Sequence, residues 1–180
     1  MATPHDHDHG PVDYRFCPKC GDELEKRKIK DNEPERLICR QCSFVFYLDP
    51  KVVAGTLFVI EGGVVLLRRG IEPAMGKWVF PGGYVDRGES VREAAIRETK
   101  EESYVSVRLA SLLNVYSYPH SPNVIIVYAA EVVEGVLKAG DESVEAKTFI
   151  PSQIPWEELA FQSTKDALED YIRTHPTLKR

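Results

Sequence analysis

Residues 83–102 read GYVDRGESVREAAIRETKEE, and this stretch decides the architecture of the chain. Ser90 is followed three residues later by Glu93, the spacing of a helix-capping box, and nothing before Glu102 would break a helix. At about 100° per residue, Glu98 and Glu102 fall on a stripe that starts with apolar residues. The stretch therefore predicts a helix whose apolar stripe ends in carboxylates.

The glutamates at the end of this helix have two interpretations. Like charges four residues apart destabilise a helix by roughly 0.2–0.5 kcal/mol unless something positive neutralises them. One interpretation is a magnesium or manganese site, because hard divalent cations prefer carboxylate oxygens. The other is a solvated face on which Arg92, Arg97 and Lys100 supply ion-pair partners. The preceding Pro81-Gly82-Gly83 favours the metal site, because we expect an irregular break there whose backbone closely approaches a metal or phosphate.

The spacing of glycine and charged residues in this stretch resembles the Nudix box, G-x5-E-x7-R-E-U-x-E-E-x-G-U. The matching positions are Gly83, Glu89, Arg97, Glu98, Glu101 and Glu102. Thr99 stands where the family has an aliphatic residue, and Tyr104 stands where it has glycine. The resemblance covers roughly residues 50–175. It implies metal-dependent hydrolysis of the pyrophosphate bond of a nucleoside diphosphate derivative.

The resemblance also implies which positions hold the catalytic metal. Glu98 and Glu102 would bind magnesium or manganese, with Glu101 as a third ligand or a bridge to a metal-bound water. The carbonyl of Gly82 would complete the metal shell.

Other positions would support the reaction without binding metal. Gly83 would have a structural role, and Glu89 and Arg97 would pair to hold the loop against the helix. The general base stays open between a glutamate of the box and an acidic residue of a later loop. Of the loop candidates, Glu145 is ranked above Glu142.

Groups outside the box must select the substrate. We expect contacts from Arg69, Trp78 and Tyr84. Aromatic residues near predicted strand ends or loops are Trp78, Tyr84, Tyr116, Tyr118, His120 and Phe161. Each could stack on a base or flavin ring, and each could instead be a core residue.

The cysteine-rich segment followed by residues 76–84 is similar to a subgroup that hydrolyses ADP-ribose and FAD. NADH is the alternative substrate. It is ranked lower, because NADH pyrophosphatases carry a Ser-Gln-Pro-Trp-Pro-Phe-Pro stretch after the box that this chain lacks. A non-catalytic nucleotide-binding module is the alternative from another functional class.

All four cysteines lie in two pairs, Cys17-Pro18-Lys19-Cys20 and Cys39-Arg40-Gln41-Cys42, with eighteen residues between them. This spacing predicts a zinc site with Cys17, Cys20, Cys39 and Cys42 as ligands. Two disulfides or four free thiols fit less well, because a segment of this size needs a staple to fold and reducing compartments disfavour disulfides. Four protein ligands leave no open position, so the zinc would be structural. We assign residues 14–47 to a zinc ribbon.

The remaining chain predicts a larger domain over residues 48–180. Runs typical of strands cover residues 51–60, 64–69, 105–116, 124–133 and 144–150, and a terminal helix is expected over 161–174. Glu61-Gly62-Gly63 reads as a hairpin turn. We predict an α+β fold, an α/β/α sandwich with a mixed β-sheet.

Composition limits the partners of this protein. The net charge of -5 and pI of about 5.6 disfavour a long nucleic acid, whereas a small dinucleotide-type substrate brought with divalent metal is compatible. The longest apolar runs, 52–60 and 124–130, are shorter than the roughly 20 residues of a membrane-spanning helix. We therefore expect a cytoplasmic protein, with a homodimer expected from similar enzymes. Residues 1–13, rich in histidine and aspartate, are expected to be a disordered tail.

Overall fold

The structure is a computed structural model that describes residues 14–175 and residue 178. The predicted N-terminal tail lies outside the described residues, so its interpretation stays a prediction. The chain divides into two compact units, and the division falls between Asp49 and Pro50. Each unit has its own sheet structure.

The first unit is a small antiparallel sheet with a cysteine pair on each of two turns. Its strands are β1 (Leu24–Arg27), β2 (Arg36–Cys39) and β3 (Val45–Phe46), in the order β1-β2-β3. Gly21 and Ser43 directly follow the two cysteine pairs and have φ of 82° and 56°. Their N–H groups donate to the carbonyls of Cys17 (2.9 Å) and Cys39 (3.1 Å), which turns the chain back on itself after each pair.

The second unit contains two sheets and two longer helices. Its strands are β4 (Lys51–Leu57), β5 (Val59–Ile60), β6 (Gly63–Arg69), β7 (Trp78–Val79), β8 (Gly82–Tyr84), β9 (Val105–Ser117), β10 (Asn123–Gly135) and β11 (Ser143–Phe149). One sheet has the order β8-β4-β10-β9; the other has the order β11-β6-β5, with β7 also paired to β6. Strand β10 is parallel to β4 and antiparallel to β9, so the first sheet is mixed, as predicted.

Alternate side chains of β6 pack toward different helices, which shows where the two helices lie. The helices are α1 (Val91–Ser103) and α2 (Gln162–Thr174). Val64 and Leu66 pack in a core group that contains residues of α2, whereas Val65 and Leu67 pack in a core group that contains residues of α1. Because successive side chains of a strand point to opposite faces, β6 lies between the two helices. The predicted α+β fold, an α/β/α sandwich, is confirmed.

Helix α1 begins as predicted. The Ser90 side chain accepts from the N–H of Glu93, and the Glu93 side chain accepts from the N–H of Ser90. The helix ends at Tyr104, which has φ 59° and ψ 16° and donates its N–H to the carbonyl of Lys100 (2.9 Å). Tyrosine therefore adopts the left-handed turn usually made by glycine, at a cost of about 1 kcal/mol.

The irregular break predicted at residues 81–83 is wrong, because Gly82–Tyr84 forms strand β8 against β4. Close approach is what requires glycine here. A Cβ on Gly82 would lie 2.6 Å from the Cα of Gly55, and a Cβ on Gly83 would lie 2.5 Å from the carboxyl carbon of Glu98. The two glycines therefore bring a strand backbone directly against β4 and α1.

The helices are too short to cross a lipid bilayer. Helices α1 and α2 have 13 residues each, or about 20 Å at 1.5 Å per residue. Among residues 14–175 and 178, no helix is both long and apolar enough for a membrane span.

Candidate functional site

The four cysteine sulfurs meet in the first unit. All four Sγ atoms lie within 4.8 Å of one another, with 3.7 Å between Cys17 and Cys42 and 3.4 Å between Cys20 and Cys39. The N–H groups of Lys19 and Cys42 each point at a cysteine sulfur from 3.4 Å. A disulfide would bring two sulfurs to about 2.05 Å, which none of these pairs approaches.

This arrangement has the dimensions of a tetrahedral zinc site. Sulfurs at about 2.3 Å from a central zinc ion are about 3.8 Å from one another. The observed separations are close to that value. The backbone N–H of Cys42 lowers the pKa of the Cys39 thiol to about 7, which favours the thiolate form that binds zinc. The cysteine cluster therefore fits zinc.

The second candidate site lies where α1 packs against β8. Glu98 and Glu102 lie along the edge of the buried face of α1, whose central residues are Ala94, Ala95, Thr99 and Ser103. The Glu98 carboxyl lies against Gly83, and Glu102 accepts a hydrogen bond from the N–H of Gly82 (2.8 Å). The predicted stripe thus places two carboxyls beside the backbone of two glycines.

Arg97 ties several matched positions together. Its Nε and Nη2 donate to the two carboxylate oxygens of Glu89 at 3.1 and 2.6 Å, so the predicted pair is present and bidentate. Its Nη1 donates to Glu98 (2.8 Å) and Glu101 (3.0 Å), and Nη2 also donates to the carbonyl of Tyr84 (3.2 Å). Arg97 therefore joins the loop before α1 to two of the predicted metal ligands.

The carboxylates of α1 do not converge on one point as the cysteines do. Within the described residues, the cysteine cluster is the group of metal-binding side chains whose ligand atoms all lie within reach of one ion. Glu98 and Glu101 instead accept from Arg97, and Glu102 accepts from Gly82. Of the three cations in the solvated-face interpretation, Arg97 forms ion pairs with these glutamates, although Glu98 is only 15% exposed. Arg92 instead lies over the ring of Tyr128, and Lys100 donates to the carbonyl of Tyr104.

Burial dominates the electrostatics of these carboxyls. Desolvation raises the pKa of Glu102 to about 7, against the Gly82 N–H bond that lowers it, and the charges of Glu98 and Glu142 raise it further. Desolvation also raises the pKa of Glu98, while Arg97 lowers it. Hydrogen bonds from Arg97 hold the pKa of Glu89 below its usual range. Glu98 and Glu102 are therefore carboxylates whose charge lacks full compensation by protein groups.

The two loop acids have different surroundings. Glu142 acts on the pKa of both Glu98 and Glu102, whereas Glu145 lies 3.7 Å from Arg68 in an ion pair. The carbonyl of Glu142 accepts from the N–H of Gly70 (2.7 Å), which fixes the loop to the end of β6. Glu142 is thus the loop acid whose charge reaches the carboxyls of α1.

Backbone packing positions the Glu142 loop against α1. The N–H of Gly140 donates to the carbonyl of Glu102 (2.9 Å), and a Cβ on Gly140 would lie 2.6 Å from the carbonyl oxygen of Glu101. Gly140, two residues before Glu142, is the sequence feature that permits this close approach.

The predicted substrate contacts have different surroundings. Trp78 is only 5% exposed and meets Phe149 edge to face at 4.9 Å between ring centroids, so it is a core residue with no free face for stacking. Tyr84 is exposed, and the Nζ of Lys51 lies 5.0 Å from its ring centroid. The burial of Trp78 agrees with the core alternative stated for it, whereas Tyr84 is exposed.

Arg69 is the third predicted contact. Its charge lowers the pKa of Glu102. Its Nε donates to the carbonyl of Pro73 (2.7 Å), and its guanidinium lies 5.3 Å from the ring centroid of Phe161. Of the other aromatic candidates, Tyr116 and Tyr118 donate their hydroxyls to aspartates of α2, so their polar groups are used within the fold.

Thr99, a departure from the box, has a partner that the sequence did not reveal. Its hydroxyl is fully buried, donates to the carbonyl of Ala95 (2.6 Å) and lies 2.7 Å from the hydroxyl of Thr56 on β4. The polar residue is therefore accommodated by a second threonine across the helix–strand contact.

Two family models match the chain. The model described as NUDIX domain matches residues 49–171, and the zinc-ribbon model described as Nudix N-terminal matches residues 15–48. Together the matches contain both candidate sites.

Individual proteins and structures are also similar to this chain. An ADP-ribose pyrophosphatase of Methanocaldococcus jannaschii is 38% identical over 131 residues, covering 71% of this chain and 76% of that protein. The NAD-capped RNA hydrolase NudC of Pseudomonas aeruginosa is 29% identical, covering 78% of this chain but 49% of that protein, so the chain spans about half its length. The crystal structure of a NUDIX hydrolase from Nitrosomonas europaea matches with a TM-score of 0.83 and 34% identity, over 90% of this chain and 93% of that one.

Proposed function

The chain belongs to the Nudix hydrolase family, and from this premise we propose that it hydrolyses the pyrophosphate bond of ADP-ribose or FAD and releases AMP. The observation that carries the proposal is the pair of half-buried carboxyls, Glu98 and Glu102, set against the close-packed glycines of β8. The ADP-ribose pyrophosphatase among the similar proteins supports the substrate class. Exposed Tyr84 and the Arg69 guanidinium support contacts to the two halves of such a substrate.

We propose that Glu98, Glu101 and Glu102, with the carbonyl of Gly82, hold the catalytic divalent metal. Hard carboxylate oxygens and partly uncompensated charge suit magnesium or manganese. Such a metal lowers the pKa of a bound water and offsets the negative charge that gathers on the pyrophosphate oxygens. Arg97 would give up its Nη1 contacts to Glu98 and Glu101 and keep its bidentate pair with Glu89.

The protein groups then position the reaction. Glu142 would accept a proton from the attacking water, because its charge already acts on the Glu98 and Glu102 carboxyls. The water oxygen would bond to one phosphorus while the bridging P–O bond breaks, giving two phosphomonoesters.

For the first unit we propose a structural zinc ion bound by Cys17, Cys20, Cys39 and Cys42. The sulfur separations and the N–H donors to sulfur support this assignment. Four thiols need a reducing compartment, which supports a cytoplasmic location. We also propose that the protein is a homodimer, which light scattering of the purified protein would test.

The substrate assignment is tested on a panel of ADP-ribose, FAD and NADH, each with magnesium and with manganese. We expect a higher kcat/KM for ADP-ribose or FAD than for NADH, with AMP appearing beside ribose 5-phosphate or FMN. The E98Q variant serves as the blank. A preference for NADH would favour the alternative supported by the NudC relatives, and no turnover of any dinucleotide would favour a non-catalytic module.

A further inference from the structure

Phe161 is an exposed aromatic residue on a fixed backbone. Its side chain is 37% exposed, although it directly precedes α2. The N–H of Ala160 donates to the carbonyl of Trp78 (2.8 Å), and Leu159 forms a bridge with the same tryptophan. Both Trp78 and Leu159 are buried, so the segment is an extension of the sheet at β7. The Phe161 ring is therefore held at the surface by ordered structure.

Arg69 connects this ring to the carboxyls of α1. Its guanidinium lies over the Phe161 ring, and its Nε is held by the carbonyl of Pro73. Its two terminal amino groups have no hydrogen-bond partner among the described residues. The next residue, Gly70, donates its N–H to the carbonyl of Glu142 (2.7 Å), and Gly140 of the same loop donates to the carbonyl of Glu102 (2.9 Å). An exposed ring and free donors are thus available beside the loop that contacts Glu102.

A second aromatic–cation pair is formed by residues of β4 and β8. Lys51 lies 5.0 Å from the centroid of the Tyr84 ring, and the Tyr84 carbonyl accepts from Arg97, which contacts Glu98. The two pairs differ in chemistry. Phe161 offers only an apolar face, whereas Tyr84 offers a hydroxyl that can bind sugar hydroxyls.

We propose, building on the pyrophosphatase function above, that Phe161 and Arg69 bind the nucleobase of the substrate, while Lys51 and Tyr84 bind its ribose phosphate half. A planar base stacks on an aromatic ring, and an arginine plane adds cation–π attraction. A hydroxyl and a compact ammonium suit a hydroxyl-rich, phosphorylated sugar. The assignment gives each end of a pyrophosphate-linked substrate its own aromatic–cation pair.

The test measures dissociation constants of AMP and of ribose 5-phosphate by calorimetry in magnesium buffer, with the full chain. F161L should weaken AMP binding by about tenfold or more, since stacking on one aromatic ring is worth that much, and leave ribose 5-phosphate within about twofold. F161Y restores a ring and should bind AMP like the wild type. Y84F should show the reverse selectivity, with ribose 5-phosphate weakened about fivefold and AMP unchanged.

Thermal melts identify any variant that fails to fold, and R69Q then gives an independent reading, with AMP binding weakened severalfold. AMP binding unchanged in F161L and R69Q would overturn the base site. So would equal losses of both ligands in a folded F161L. Cleavage of ADP-ribose by the wild type would then still support the proposed function. If the wild type cleaves no dinucleotide yet F161L selectively loses AMP, the function fails and the base site stands.

Discussion

The two candidate metal sites of this chain are prepared to different degrees. In the first unit, four sulfurs already lie within 4.8 Å of one another, close to the spacing that zinc requires. In the second unit, the carboxyls of α1 are distributed over other partners, with Glu98 and Glu101 on Arg97 and Glu102 on Gly82. The difference follows from their proposed tasks. A structural site is closed by protein ligands, whereas a catalytic site must exchange contacts with metal, water and substrate.

The largest expected effect concerns the cysteine site of the first unit. C39S should lose stoichiometric zinc and the protection of β1–β3 against hydrogen exchange, because structural zinc in small ribbons contributes about 10 kcal/mol or more to folding. R40A, a change at the exposed neighbour of Cys39, should keep one zinc per chain. Metal analysis with hydrogen-exchange mass spectrometry measures both. Full zinc content in C39S would remove this cysteine from the site.

The next largest effect concerns the carboxylate site of α1. E98Q and E102Q should each lower kcat by roughly a hundredfold or more, because losing a metal ligand costs several kcal/mol of transition-state stabilisation. The fold should persist, since each change removes charge from a crowded set of carboxyls. Measuring kcat against magnesium concentration, beside thermal melts, separates catalysis from folding. Near-normal rates and unchanged metal dependence would support the solvated-face interpretation instead.

A third effect distinguishes the two sites by the pH dependence of the free energy of unfolding, measured without added magnesium or manganese. The pKa of Glu102 is raised from its ordinary 4.5 to about 7, chiefly by burial. The folded protein therefore binds a proton that the unfolded chain releases in this range, so stability is highest below about pH 4.5 and falls as the pH rises to about 7. The loss attributable to Glu102 amounts to about 3 kcal/mol.

Denaturant unfolding at a series of pH values from 4.5 to 8 measures the slope of the free energy of unfolding against pH. E102Q should remove most of it, whereas E101Q, a change at an exposed glutamate one residue away, should retain most of it. Because the three proteins differ only at a glutamate of α1, the difference between them isolates the carboxyl. An identical slope in wild type and E102Q would contradict the prediction.

Local sequence signals predicted the local parts of both sites. The capping box placed the start of α1, and the paired cysteine spacing predicted the cluster that the structure shows. Contacts between distant segments were harder to predict. The sequence predicts a break at the glycines before α1, whereas the structure has β8 there, because close packing against β4 involves residues far away in the chain.

The same limit applies to individual residues near the site. The burial of Trp78 depends on Phe149, which lies on another strand, so its sequence position at a strand end could not distinguish core from site. Glu142 reaches the carboxyls of α1 because its loop is bonded to Gly70 and to Glu102 through backbone groups, which carry no side-chain signal. Thr99 looked like a weak match to the box because its partner Thr56 lies 43 residues earlier.

The smallest effect concerns the polar contact that joins β4 to α1 beside the carboxylate site. The buried hydroxyls of Thr56 and Thr99 join β4 to α1 one residue from Glu98. T99V should cost about 1–3 kcal/mol, because it leaves the Thr56 hydroxyl buried without a partner. T56V should cost less, about 1 kcal/mol, since Thr99 still donates to the carbonyl of Ala95.

Replacing both threonines by valine removes two polar groups of matched shape and should bring stability back toward that of the wild type. Denaturant unfolding of the four proteins gives the coupling between the two positions. T164V is the matched control, because the Thr164 hydroxyl is buried with no hydrogen-bond partner in the described chain, so its removal should be neutral or stabilising. Additive losses in the double variant would mean that the two hydroxyls do not depend on each other. The carboxyls of α1 would then be positioned by apolar packing and by Arg97, without a contribution from this polar contact.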